Sequence, residues 1–173
     1  DLNASLFNRT IATFDGGAVY LGGENAQVTA SNFTFINATR GGAIFIEGNG
    51  SLIESSFKFC FAKVNGSRIS AGGAIYISGN DNEIRNSDFT ISMAIGGNGG
   101  AIYAGGSGNI INGIETNVTN AIRTGPGNMG NGGAIYIEGT DALIENSNFT
   151  IGTADDNGGI IYVEGNNATI TQS

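Results

Sequence analysis

Six near-identical glycine-led phrases recur along the chain: Gly16-Gly17-Ala18-Val19-Tyr20-Leu21, Gly41 to Ile46, Gly72 to Ile77, Gly99 to Ala104, Gly132 to Ile137 and the variant Gly158 to Val163. A second phrase falls between them, an aliphatic residue followed three places on by Ser and five places on by Phe. It appears as Leu2/Ser5/Phe7, Val28/Ser31/Phe33, Leu52/Ser55/Phe57, Ile84/Ser87/Phe89 and Ile144/Ser147/Phe149, and Ile170/Ser173 begins another. Self-similarity at a fixed period marks a repeat architecture, in which each unit buries its apolar face against its neighbours. From the first Gly of a doublet to the next Ser slot the interval is 15, 14, 15, 15, 15 and 15 residues; from the Ser slot to the next doublet it is 11, 10, 17, 12, 18 and 11. Insertions are therefore tolerated at one edge only.

The units are short β-branched and aromatic runs separated by Gly and Asn, with no helical period, so they read as strands. Alternation places Ser31/Phe33/Phe35, Ser87/Phe89/Ile91 and Ser147/Phe149/Ile151 on an inward face, and Asn32/Thr34, Asp88/Thr90 and Asn148/Thr150 on an outward one. In the Gly-led phrase Ile75 and Ile77 point in, Ala74 and Tyr76 out. Equivalent slots should stack at about the 4.8 Å strand spacing, Phe upon Phe. The expected fold is an all-β, right-handed parallel β-helix (β-solenoid) of about six coils, roughly 25 residues each, with loop insertions at one edge and a length of roughly 30 Å. Residues 1–173 form a single β-helix domain, expected to be a segment of a longer repeat protein or a stacking subunit whose open ends pair head to tail. The fourth repeat departs from the pattern, with Ile114 and Thr116 in the Ser and Phe slots and Val118 expected inside, and should be the weakest rung.

Fifteen acidic against seven basic residues give a net charge of −8, which excludes nucleic acid as a partner. No apolar run reaches the length of a membrane span. The single Cys rules out an internal disulfide framework, and its parity between Phe59 and Phe61 points the Cys60 thiol outward.

The Gly-Gly-Ala-Ile phrases and the Ile-Xaa-Asn-Ser-Xaa-Phe phrase, clearest at Ile84 to Phe89 and Ile144 to Phe149, resemble the adhesin-like surface proteins of methanogenic archaea. They are similar, more distantly, to the repeats of chlamydial polymorphic outer-membrane proteins, although no Phe here has Asn three places on. The resemblance covers the whole chain and implies a right-handed parallel β-helix, secretion and a role at the cell surface. It carries over no catalytic residues.

Nine Asn residues, Asn3, Asn8, Asn32, Asn37, Asn49, Asn65, Asn117, Asn148 and Asn167, stand two places before Ser or Thr as candidate N-glycosylation sites. About three or four would arise by chance from this composition. The repeated Ser-Asn-Phe-Thr phrase generates some automatically, as at Asn32 and Asn148. Catalytic signals are weak: there is no His, so the usual neutral-pH acid-base group is missing. Gly125 to Gly130 matches a dinucleotide fingerprint by letters but lacks the strand-to-helix context. Gly105 to Asn109 reads as a turn rather than a calcium site. Glu47, Glu138 and Glu164 recur at one slot, and a residue reused rung after rung reads as a solvated turn position. Asp155-Asp156 is read likewise. No catalytic residue, metal or cofactor is assigned.

Two surfaces remain. Arg40, Lys63, Arg68 and Arg123 all fall in the variable segment before a Gly doublet; with the loops 62–71 and 120–131 they form a candidate binding rim for an anionic polymer or an acidic patch. Tyr20, Phe45, Tyr76, Tyr103, Tyr136 and Tyr162 form a candidate aromatic ladder, suited to sugar stacking if exposed and to packing if buried. The expected function is a non-catalytic adhesin-like or structural stalk module, extracellular or at the cell surface. Its expected partners are other copies, neighbouring surface proteins, carbohydrate or a partner cell, and it is not itself membrane-spanning. Rival readings are a subunit of an extracellular filament or sheath, and a carbohydrate-active β-helix enzyme, a polysaccharide lyase or hydrolase.

Overall fold

The computed structural model describes residues 1–173 and is all β, without a helix; no helix is therefore long and apolar enough to cross a membrane. A six-stranded parallel sheet is built wholly from the Gly-led phrases: Val19–Leu21, Ile44–Ile46, Ile75–Ile77, Ile102–Ala104, Ile135–Ile137 and Ile161–Val163. Its register sets Tyr20, Phe45, Tyr76, Tyr103, Tyr136 and Tyr162 side by side. An eleven-stranded parallel sheet carries the Ser-Phe phrases, with Phe7, Phe33, Phe57, Phe89, Thr116 and Phe149 in one row. This is the pairing of a parallel β-solenoid, and the sequence repeat is its structural unit.

The doublet glycines serve two different purposes. Gly72 has φ +60, a left-handed conformation that a Cβ penalises. Gly73 is squeezed rather than twisted: a Cβ there would strike the carbonyl of Gly100 and the backbone of Met93. The turn and the close approach of neighbouring repeats thus each require a missing side chain.

The serine slot has an equally local cause. Before it the chain turns through a left-handed residue, Ala30, Asn86, Gly113 or Asn146, where the ladder of backbone hydrogen bonds is interrupted. The serine hydroxyl substitutes for the lost acceptor: Ser5 N–H donates to Ser31 Oγ (3.1 Å), Ser31 N–H to Ser55 Oγ (3.2 Å) and Ser55 N–H to Ser87 Oγ (3.0 Å). The interval of 14 rather than 15 residues is the same corner with one residue missing. Ala30 has no counterpart between Glu54 and Ser55, and the register shifts there between Thr29 and Ser31.

A second left-handed corner overturns part of the expected alternation. Phe35, Phe59, Ile91, Val118 and Ile151 all have φ between +52 and +57. They therefore face outward instead of joining Phe33 and its equivalents; Phe35 is 45% and Ile151 61% exposed. The next residue is the inward one, so Ile36 and Cys60 are fully buried, and Val118 is half-buried rather than internal. Cys60 is accordingly not an accessible thiol, and burial pushes its pKa up to about 12. Ala74 is also fully buried; the strand begins only at Ile75, so strand parity does not reach back to it.

The core is a set of columns. Phe7, Phe33, Phe57 and Phe89 stack with ring centroids 4.8 to 4.9 Å apart and nearly parallel planes. Flanking aliphatic residues, Ile44, Ile75, Ile102 and Ile135, are fully buried. In the fourth repeat Thr116 replaces the ring while Ile114, fully buried, replaces the serine; bulk has moved two residues back, to just before the strand Glu115–Ile122. The exchange leaves Thr116 Oγ1 buried without a hydrogen-bond partner.

Candidate functional site

The two longest segments before a doublet lie folded back on the body of the molecule. In the loop 62–71, Asn65 and Arg68 exchange backbone hydrogen bonds (3.2 and 3.1 Å) in a tight antiparallel turn. Asn65 Nδ2 then donates to the carbonyl of Thr13 at 3.3 Å, two repeats away. This brings Arg68 over the ring of Phe14, 4.5 Å from its centroid, with Nη1 3.8 Å from Asp15 Oδ2. From the other side Arg40 pairs with Asp15 through two 2.8 Å hydrogen bonds, Nε to Oδ1 and Nη2 to Oδ2. Its guanidinium also lies over Phe45 and Tyr76, 4.8 and 5.1 Å from their centroids. A cleft lined by Arg40, Arg68 and Ile69 opens between the two arginines.

Arg123 does not join them. It pairs with Asp156 at 3.1 Å, its backbone N–H donates to Asp155 Oδ2, and Asp156 Oδ2 accepts the N–H of Gly130, both at 2.8 Å. The adjacent aspartates thus anchor the loop 120–131, a role their reading as solvated turn residues missed. Lys63 ends the strand Leu52–Lys63 and is exposed. Of the four basic rim residues, the structure converges two.

The aromatic ladder is one continuous stack from Tyr20 to Tyr162, with centroids 4.6 to 5.3 Å apart and planes within 14°. Stacked this way, the rings use their faces on one another and present only edges sideways. Interior members therefore have no free face for a sugar ring. Burial agrees with packing: Phe45 and Tyr136 are 4% and 3% exposed, and only Tyr20, at the end of the column, is half exposed.

The recurrent glutamates are exposed, yet they are engaged. Tyr20 donates its hydroxyl to Glu47, Tyr103 to Glu138 and Tyr136 to Glu164, each acceptor lying one repeat further on. The Tyr20 phenol is raised above its ordinary value of 10.0 chiefly by the hydrogen bond to Glu47. Burial, the leading cause, raises Tyr76, Tyr103 and Tyr136, with Glu138 and Glu164 adding to the last two. These phenols hold their protons in the folded chain at a pH where the unfolded chain has lost them. The stability they contribute is complete below about pH 10, the unfolded phenol value, and is lost as pH rises above it. Thermal midpoints are expected to fall above that pH, with phenolate absorbance appearing together with loss of the β-sheet circular dichroism signal. Phenolate appearing well ahead of unfolding would show the hydroxyls to be free.

Eight of the nine sequon asparagines, Asn3, Asn8, Asn32, Asn49, Asn65, Asn117, Asn148 and Asn167, are exposed, and Asn37 is half-buried. Asn32, Asn117 and Asn148 lie on the outer face of the eleven-stranded sheet. On that face Asp88 and Glu115 are cross-strand neighbours in a shallow depression with Thr90, Asn117, Asn148 and Thr150. It is one place on that face where two carboxylates share a depression. No protein-family model, curated protein or solved structure matches this chain.

Proposed function

We propose that the chain is a right-handed β-helix of about six coils that acts as a non-catalytic adhesin-like or stalk module on the outside of a cell. The observation that carries this reading is the unbroken aromatic column from Tyr20 to Tyr162. Stacked, in-register repeats favour a stiff body over a moving one, and they leave the loops as the variable part, where recognition is usually placed. Carboxylates are drawn into the same scheme: Glu47, Glu138 and Glu164 hold tyrosines, while Asp15, Glu54 and Asp156 hold arginines. The resemblance of the repeat phrases to archaeal adhesin-like proteins points the same way.

Immunogold labelling of the source cells is expected to place the protein on the outer envelope, and beads coated with the folded chain are expected to attach to cells or polysaccharide films. Cytoplasmic label would overturn the location. Steady release of reducing ends or unsaturated uronates from a polysaccharide panel, abolished by D88N/E115Q, would replace the non-catalytic reading by the enzyme one.

A further inference from the structure

The chain has three clusters in which arginine meets carboxylate, and their charge balance differs. Arg85 lies between Glu54 and Glu83, and Arg123 lies beside Asp155 and Asp156; both have one carboxylate in surplus. At Asp15 the sign reverses, because two guanidiniums share one carboxylate. On a chain of net charge −8, that surplus of one positive charge is a local exception.

Both cations are held in fixed orientations. Arg40 is locked by its two-bond pair with Asp15 and by the rings of Phe45 and Tyr76, and Arg68 by the ring of Phe14 and the pinned loop 62–71. Planar forks held in advance lose little freedom on meeting an oxyanion, which is the advantage of arginine at such sites. The pair with Asp15 uses Nε and Nη2 of Arg40 and leaves Nη1 for another acceptor. Arg68 reaches Asp15 only at 3.8 Å, beyond a good hydrogen bond. We infer that the cleft between Arg40 and Arg68 binds an oxyanion carried on a sugar, the carboxylate of a uronate or the sulfate of a sulfated saccharide.

The surroundings favour a sugar over an acidic peptide. Several backbone groups beside the cleft are already paired: Thr39 and Arg40 N–H to the carbonyl of Phe14 (2.7 and 3.0 Å), and Asn65 with Arg68. The Asn65–Arg68 turn closes on itself and is taken up as a pairing edge on that side, which leaves the guanidiniums as the principal donors facing the cleft. The exposed surface there is also apolar, Ile69 at 46% in the cleft and Phe14 at 49% beside it with Arg68 over one face of its ring, and the C–H groups of a pyranose can pack against it. The inference rests on the surface-module reading and narrows the basic rim from four residues to two.

The test is calorimetric or NMR titration of the folded chain with galacturonic acid oligomers, the same oligomers methyl-esterified, a sulfated oligosaccharide and a glutamate-rich peptide, at low salt. Saturable binding of at least one acidic sugar is expected, fading as salt rises. R68A should weaken it by about tenfold or more, the loss of a charge-assisted hydrogen-bonding pair. R68K, which keeps the charge but not the fork, should fall between, and K63A and R123A should stay within about twofold of the unaltered chain. Circular dichroism controls for folding of each variant, and R68K serves should R68A be unstable. Equal binding of the neutral ester, unchanged affinity in a folded R68A or R68K, tighter binding of the peptide, or no binding of either acidic sugar would each overturn the site. Those outcomes leave the surface-module reading standing, whereas cytoplasmic location or product release defeats that reading independently of this cleft.

Discussion

Gly73→Ala is expected to be among the most damaging small changes in the chain, lowering stability by about 3 kcal/mol or more. The position has an ordinary backbone conformation, so the loss does not come from left-handed strain. The added methyl would instead meet the Gly100 carbonyl and the N and C atoms of Met93, both 2.6 Å away. These are main-chain atoms of paired repeats, and none can move aside without breaking ladder hydrogen bonds such as Gly73 N–H to the Gly99 carbonyl (3.0 Å). For a chain of this size, a loss of that order corresponds to a fall in Tm of roughly 6–12 °C. Gly23→Ala, where a Cβ would meet nothing within 4 Å, is the matched control and should change Tm little. A Gly73→Ala protein with the parent's Tm would mean that the repeats are not in the contact described.

Phe57→Ala should cost a comparable amount, about 3–5 kcal/mol. Phe57 is 1% exposed and is stacked on both faces, on Phe33 and Phe89, with centroids 4.9 Å away on each side. Removing it opens a ring-sized gap between two rigid neighbours and deletes two stacking contacts together. Phe35→Ala removes the same group from the outward corner, where the residue is 45% exposed, and should cost less than about 1 kcal/mol. Sequence alternation assigns Phe33 and Phe35 to the same face. Denaturant midpoints that failed to separate Phe57→Ala from Phe35→Ala would favour that simpler picture over the structural one.

What could be read from the chain and what could not divide along a physical line. Parallel strands one repeat apart pair equivalent slots, so the Phe and Tyr columns followed directly from aligning the phrases. Inward and outward assignments held only as far as the strands stayed extended. They failed after Phe35, Phe59, Ile91, Val118 and Ile151, because bulky residues take a left-handed conformation there that ordinarily announces itself by Gly or Asn. Cys60 was misplaced for that reason alone. The tyrosine–glutamate bonds left a faint trace: Phe45, which has no hydroxyl to donate, is followed one repeat on by Ser78 rather than Glu. The Asp15–Arg40 pair was also within reach, since both residues immediately precede a Gly doublet and are bridged in register. Arg68 was not, because its loop ignores the repeat spacing and reaches Thr13 directly.

That loop has a mechanical consequence. Fraying of a stacked array ordinarily starts at a terminal winding and costs only the contacts with one neighbour. Here the first repeat is buckled to the third across the second, through Asn65 to Thr13 and Arg68 to Phe14 and Asp15. Separating the first repeat from the second therefore has to release an extra strap before their backbone ladder opens, so this part of the array resists unzipping more than the spacing of its strands alone would provide.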